Sequence, residues 1–248
     1  MNFLQLFNKK NIIGAHRGAR RIAPENTLRA LDASLGRSDF IEVDVQLSKD
    51  RVAVIIHDDT LERTTDVKSL AMFSSREPYS VSDFTYEELL SLDYGSWFDR
   101  YEPLLTLEGV LKFIREKKVF VNIEIKDMHH YFSDEEVVSK IITVIQMFGV
   151  DEFVMLSSFR DEYLPLCKEK LPSVPTALLV ENEHPKNLLK YLKSLQVDAY
   201  NMDDTLVEAE LVSRLKKSGF IVNVYTVNDN IRAKELFAMG VNAVFRDI

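Results

Sequence analysis

Of 248 residues only one, Cys167, is a cysteine, which excludes an intrachain disulfide and any thiolate-rich metal site. No apolar run approaches the roughly 18 residues that span a bilayer, so stable membrane insertion is not expected. The opening stretch MNFLQLFNKK has a short apolar patch. It lacks the basic start, long apolar middle and small-residue cleavage site of a secretory leader, and a cytoplasmic protein is the natural expectation. Positive charge is also scarce: 31 Lys and Arg face 39 Asp and Glu, a formal net charge of −8. That balance excludes a broadly basic face for nucleic acid, so any anionic ligand must be met by local positive contacts. Tandem repeats, linkers and low-complexity tracts are absent. What remains is a chain 46% apolar and 28% charged, in which Leu, Ile, Val and Phe recur in periodic blocks sufficient for a sizeable core.

Short apolar, β-branched runs alternate with helix-period segments from end to end. Strands are predicted at 11–15, 40–45, 119–125, 152–157, 176–180, 199–201, 220–226 and 243–245. Helices are predicted at 25–35, 107–117, 134–148, 161–170, 185–195, 207–218 and 230–239. Parallel strands joined by right-handed helical crossovers predict an α/β fold, a closed TIM (β/α)8 barrel forming one domain over 1–248, with an open doubly wound sheet as the rival. Residues 46–51 are too few for the crossover to a parallel partner, so the apolar run 52–56 must fold back as an antiparallel arm. Residues 58–106 then form an insertion between the second strand and second helix, with a short helix near 85–91. Its aromatics Phe73, Tyr79, Phe84, Trp97, Phe98 and Tyr101 make either a substrate lid or a small satellite core. The sequence stops three residues after the last strand, so the eighth helix is expected to be missing or truncated, with residues 2–7 covering part of that gap.

Barrels do their chemistry where the strands end, at the carboxyl face. His16 and Arg17 end the first strand. Glu42 and Asp44, two apart, emerge on one face of the second, and Glu124 and Lys126 do the same on the third. The hairpin brings position 57 opposite position 44, give or take one residue, so His57 arrives level with Asp44. Carboxylates about 4 Å apart repel by roughly 4 kcal/mol per pair at an effective dielectric of about 20, so a proton or a cation must intervene. Oxygen donors without thiolate favour one hard divalent cation, Mg2+ or Ca2+. Arg17 and Lys126 offer donors suited to phosphate oxygens. Two imidazoles near carboxylates are expected to have raised pKa values, fit for acid/base work. Together these parts describe metal-assisted phosphoryl chemistry. Other polar residues read more plainly. Pro24 followed by Glu25 and Asn26 fits the first turn of a helix, so neither joins the site. His129, His130 and His184 read as solvated loop residues. Arg246 either adds a phosphate or headgroup contact at the mouth or, the favoured reading, pairs with a nearby carboxylate such as Asp247.

The ordered motifs also carry a resemblance. His16-Arg17-Gly18, Pro24-Glu25-Asn26-Thr27, Ile41-Glu42-Val43-Asp44-Val45, His57-Asp58-x-x-Leu61-x-Arg63-Thr64-Thr65, Glu124-Ile125-Lys126, Ser158-Phe159 and Thr226-Val227-Asn228 together resemble the glycerophosphodiester phosphodiesterase family across nearly the whole chain. The resemblance implies a TIM barrel with a small insertion, a divalent cation at Glu42, Asp44 and Glu124, and catalytic His16 and His57. Arg17 and Lys126 would contact the phosphate, and Phe159 and Tyr225 the rest of a small phosphodiester substrate. The implied reaction is hydrolysis of glycerophosphodiesters to glycerol 3-phosphate and an alcohol such as choline or ethanolamine. Tyr225 stands where the family usually has Trp, which leaves a smaller aromatic wall, and Arg246-Asp247-Ile248 departs from the usual ending. A lysophospholipase D would use the same constellation on an acylated substrate. A non-catalytic binding barrel would lack a ligand or a histidine, and none is missing. A glycosidase gains nothing from two His, an Arg and a Lys around its carboxylates. Monomer and homodimer both remain open.

Overall fold

Side-chain alternation along the strands separates two environments. In the computed structural model, which describes residues 2–248, the strands are β1 (Ile12–Ala15), β2 (Phe40–Leu47), β3 (Ala53–Ile55), β4 (Val121–Ile125), β5 (Val154–Ser158), β6 (Thr176–Val180), β7 (Ala199–Asp203), β8 (Ile221–Tyr225) and β9 (Ala243–Arg246). All but β3 pair in parallel, and β1 bonds both β9 and β2, which closes the sheet into an eight-stranded barrel. On β2, Ile41, Val43, Val45 and Leu47 join the apolar layer under the helices, whereas Phe40 faces the barrel axis and Glu42 the mouth. The outer layer comprises α2 (Leu28–Ser34), α4 (Leu107–Lys117), α5 (Asp134–Phe148), α6 (Tyr163–Lys170), α7 (Leu188–Ser194), α8 (Ala209–Lys217) and α9 (Asn230–Met239), with α1 (Phe3–Leu6) and α3 (Tyr86–Leu90) outside that ring. None of the helices among the described residues is long and apolar enough to cross a membrane.

Three local expectations need correction. The helix predicted from residue 25 begins at Leu28, because the Thr27 hydroxyl caps Ala30 N and Asn26 turns the chain at φ 58°. Residues 151–153 form a 3-10 turn, so β5 starts at Val154. Helix α1 packs against the N-terminal end of the barrel rather than into the gap beside the last strand. Its Phe3 meets Phe40 at 5.6 Å and Phe120 at 5.4 Å between ring centroids, and Phe40 stacks edge-on with Phe245 at 5.2 Å. Among the described residues, no helix follows β9.

This aromatic floor explains Gly14, where a Cβ would lie 2.3 Å from Phe40 Cζ. Gly14→Ala is expected to cost about 1–3 kcal/mol by overpacking. Urea unfolding would show it as a lower midpoint at unchanged slope.

The arm β3 runs antiparallel to β2, with Val45 opposite Ile55, and Ile56 N donates to Asp44 O at 3.0 Å. Position 44 therefore faces position 56, within the expected tolerance of one residue. Residues 58–106 carry α3, three 3-10 turns and their own core, in which Phe73 meets Phe84 edge-on at 5.1 Å. Phe73, Tyr79 and Phe84 are core; Trp97, Phe98 and Tyr101 are exposed, and none of the six lines the central cavity.

Candidate active site

The strand ends converge on a cavity of about 620 Å³, lined by His16, Arg17, Glu42, His57, Glu124 and Lys126, with Phe159 and Tyr225 on its wall. Asp44 is buried beside them, and the parallel register sets it level with Glu124. All nine residues singled out from the sequence are thus brought together. Local geometry arranges them. Arg17 and Gly18 both adopt positive φ, 55° and 78°, so the chain turns sharply after β1, and Arg17 N donates to Glu42 Oε2 at 2.7 Å. At Gly18 a Cβ would stand 2.8 Å from the Ala30 backbone, which leaves room for glycine alone.

One oxygen each of Glu42, Asp44 and Glu124 lies within 4.8 Å of the others. Each carboxylate is anchored through one oxygen. Glu42 Oε2 takes Arg17 N at 2.7 Å, Asp44 Oδ2 takes Asn26 Nδ2 at 2.8 Å, and Glu124 Oε1 takes Lys126 Nζ at 2.7 Å. Glu42 Oε1 and Asp44 Oδ1 are buried without a hydrogen-bond partner, the latter 3.9 Å from Lys126 Nζ. Orphaned buried anionic oxygens are costly unless something positive meets them, so this donor set fits a hard divalent cation.

The electrostatics agree. Burial, with Asp44 and Glu124 nearby, pushes Glu42 well above the usual carboxylate range. Burial and Asp44 push Glu124 up to about 7. Burial would raise Asp44 too, but Lys126, His57 and Arg17 outweigh it and hold Asp44 below its ordinary value. The expected raised imidazole fails for His57. Burial is the largest influence and, with repulsion from Lys126 and Arg17, outweighs the pull of Asp44, so His57 lies below the usual histidine range.

Each imidazole is held through Nδ1: His57 stands 2.6 Å from Asp58 Oδ1, and His16 stands 2.8 Å from Asp247 Oδ1. That frees Nε2 of each ring for other work. Tyr225 donates its hydroxyl to Val180 O at 2.7 Å and meets Phe159 edge-on at 6.0 Å, so the ring of Tyr225 is what it offers the cavity. Asn122 also lines the cavity and donates to Ser157 Oγ at 2.9 Å.

Two minor expectations are overturned. Arg246 does not pair with Asp247; it follows the inward-facing Phe245, so alternation turns it outward, where Nη2 donates to Asn228 O at 2.7 Å. His184 is no solvated loop residue: its ring nitrogens lie 2.9 Å from the Tyr200 hydroxyl and 3.1 Å from Leu206 O. Sequence reasoning also passed over Glu25, Asn26, Asp58 and Asp247. A carboxylate directly after His57 was a usable signal for Asp58. Reading Pro24-Glu25-Asn26 as a helical turn hid the other two of that loop.

A closed parallel barrel with an acidic cup, two cations and two imidazoles at its carboxyl mouth defines a TIM-barrel phosphodiesterase. The glycerophosphoryl diester phosphodiesterase family profile matches residues 16–248, and the chain belongs to that family. It is 34% identical over 244 residues to a glycerophosphodiester phosphodiesterase of Bacillus altitudinis, covering 95% of this chain and 94% of the other. It is 32% identical over 249 residues to one of Caldanaerobacter subterraneus, covering 96% and 94%. Among solved structures, an Oleispira antarctica phosphodiesterase in complex with the product sn-glycerol-3-phosphate superposes with a TM-score of 0.87. That match has 28% identity and covers 98% of this chain and 95% of the other.

Proposed function

We propose that this protein hydrolyses glycerophosphodiesters, such as glycerophosphocholine or glycerophosphoethanolamine, to glycerol 3-phosphate and an alcohol. Glu42, Asp44 and Glu124 would hold one divalent cation, Mg2+ or Ca2+. The observation that carries the reading is a single cavity that gathers His16 and His57 beside the orphaned oxygens of Glu42 and Asp44. The product in the Oleispira antarctica relative supports the same substrate class. When bound, the cation supplies Lewis-acid polarisation of a phosphoryl oxygen. Lys126 and Arg17, held against the cup by Glu124 and Asp44, provide positive charge for the remaining phosphate oxygens. One imidazole accepts a proton from the nucleophile at Nε2, and the other donates a proton from Nε2 to the departing alkoxide. Phe159 and Tyr225 supply an aromatic wall of the same cavity, with Lys126 Nζ 5.9 Å from the Phe159 ring centre.

The test is an assay of chelator-stripped protein on several glycerophosphodiesters, with single divalent ions added back. Turnover should vanish on stripping and return with Mg2+ or Ca2+. Hydrolysis that survives stripping, or none with any ion, would overturn the proposal.

Cation binding should also titrate. The Glu124 carboxyl, pushed up to about 7, holds a proton below that pH, and the cation must displace it. Apparent affinity should therefore rise between about pH 6 and 8, with proton release visible by calorimetry in buffers of different ionisation enthalpy. A flat affinity without proton release would contradict it.

A further inference from the structure

Both carboxylates that hold the imidazoles lead back to one residue. The Glu25 side chain is 2% exposed and meets three guanidinium groups. Its Oε1 accepts from Arg17 at 2.9 Å and Arg63 at 2.6 Å; its Oε2 accepts from Arg20 at 2.7 Å and Arg63 at 3.0 Å. Arg63 also forks onto Asp58, at 2.5 and 2.9 Å, and Asp58 holds His57. Arg20 reaches Asp247 at 3.6 Å, and Asp247 holds His16. Asn228 clamps that second carboxylate, donating from Nδ2 to Asp247 Oδ2 at 2.9 Å and accepting from Asp247 N at 2.9 Å. Arg17 extends the network to the cup, with Nε 3.6 Å from Asp44 Oδ2.

Local structure does not require this carboxylate. Thr27, not Glu25, caps α2, so the helix start would survive without it. Burial opposes ionisation of Glu25, yet Arg63, Arg17 and Arg20 outweigh it and hold the group below the ordinary carboxylate range. Three guanidinium groups balance Glu25, Asp58 and Asp247. Neutralising Glu25 would leave the arginines free to shift, and both imidazole supports with them.

We propose that Glu25 is a positioning residue: through Arg63 and Arg20 it sets the carboxylates that orient both imidazoles, keeping each Nδ1 a donor and each Nε2 available to the cavity. This rests on the reading of His16 and His57 as the acid/base pair.

The test combines NMR of the imidazole nitrogens with steady-state kinetics on a glycerophosphodiester. In the parent protein both neutral rings should carry their proton on Nδ1. In Glu25→Gln, which keeps the shape and removes the charge, both rings should move toward the Nε2-protonated tautomer. Its kcat should fall about 10–100-fold, the usual cost of losing an outer-shell partner. Because Arg17 also rests on Glu25, any rise in KM should be smaller than the fall in kcat. Glu25→Asp should recover part of the loss.

Arg63→Lys guards against a Gln variant that fails to fold, because the Arg63 side chain is 42% exposed. Lysine keeps the charge but lacks the fork that spans Asp58 and Glu25, so His57 alone should change tautomer while His16 stays as it was. Two outcomes would overturn the proposal: an unchanged His57 ring in Arg63→Lys, or a fall in kcat for Glu25→Gln with both tautomers intact. If the parent protein shows no phosphodiesterase activity, the proposed function fails, while the ring spectra still decide the positioning role.

Discussion

Alanine at His16 or at His57 is expected to lower turnover of a glycerophosphodiester by at least about 10²-fold, the usual size of an acid/base contribution. The reason is specific to how the rings are held. Nδ1 of each is engaged by a carboxylate, so Nε2 is the one atom of each ring left to move a proton in the cavity. Water can replace neither, because it lacks their fixed position in the cavity. Neither ring belongs to the acidic cup, so cation affinity measured by calorimetry should change little in either variant. The signature is therefore loss of kcat with the cation still bound. Full turnover in both variants would remove the histidines from the mechanism; loss of cation binding in step with activity would give them a structural role instead.

Glu42→Gln should move activity and stability in opposite directions. In the metal-free protein the Glu42 carboxyl sits well above its ordinary range because it is buried beside Asp44 and Glu124. A carboxyl raised on folding costs stability once it ionises. The cost is absent below the unfolded value of about 4.3 and grows as pH rises through it towards the folded value. Glutamine removes the charge and can still accept from Arg17 N. At pH 8 the metal-free variant should therefore melt higher than the metal-free parent, and near pH 4 the two should converge. Activity should fall beyond the roughly 100-fold that outer-shell changes cost. Mg2+ or Ca2+ should raise the melting temperature of the parent by binding the folded state, and not that of the variant. A parent whose melting is indifferent to both ions would sink the cation reading of Glu42, Asp44 and Glu124.

Much of this site could be read from the chain because strand alternation is a local rule. Glu42 and Asp44 had to share a face, and Ile41, Val43 and Val45 had to face the helices, whatever lay beyond them. The six-residue span 46–51 forced a hairpin, and the hairpin delivered His57 to within one residue of its observed level. Helices α4, α5 and α9 begin and end where capping residues and periodicity place them. Helix α2 shows the limit of the same logic. Pro24-Glu25-Asn26 satisfies the rules for a first turn, but the loop is recruited instead to the buried Asp44 of β2 and to Arg63 of the insertion, and the helix starts three residues later than expected.

The barrel, its hairpin and the inward carboxylates were settled by neighbours along the chain: alternation of two, crossovers too short or long enough, caps at helix ends. The tertiary structure alone decided who holds whom. His16 finds Asp247 across 231 positions and Glu25 finds Arg63 across 38, pairings that no periodicity encodes. It also decided the sign of the His57 shift, because desolvation depends on every atom packed around a ring, from whichever strand or loop it comes. Short-range sterics act through the backbone and can be read residue by residue, whereas burial and ion pairing act through space and exist only once the fold has closed.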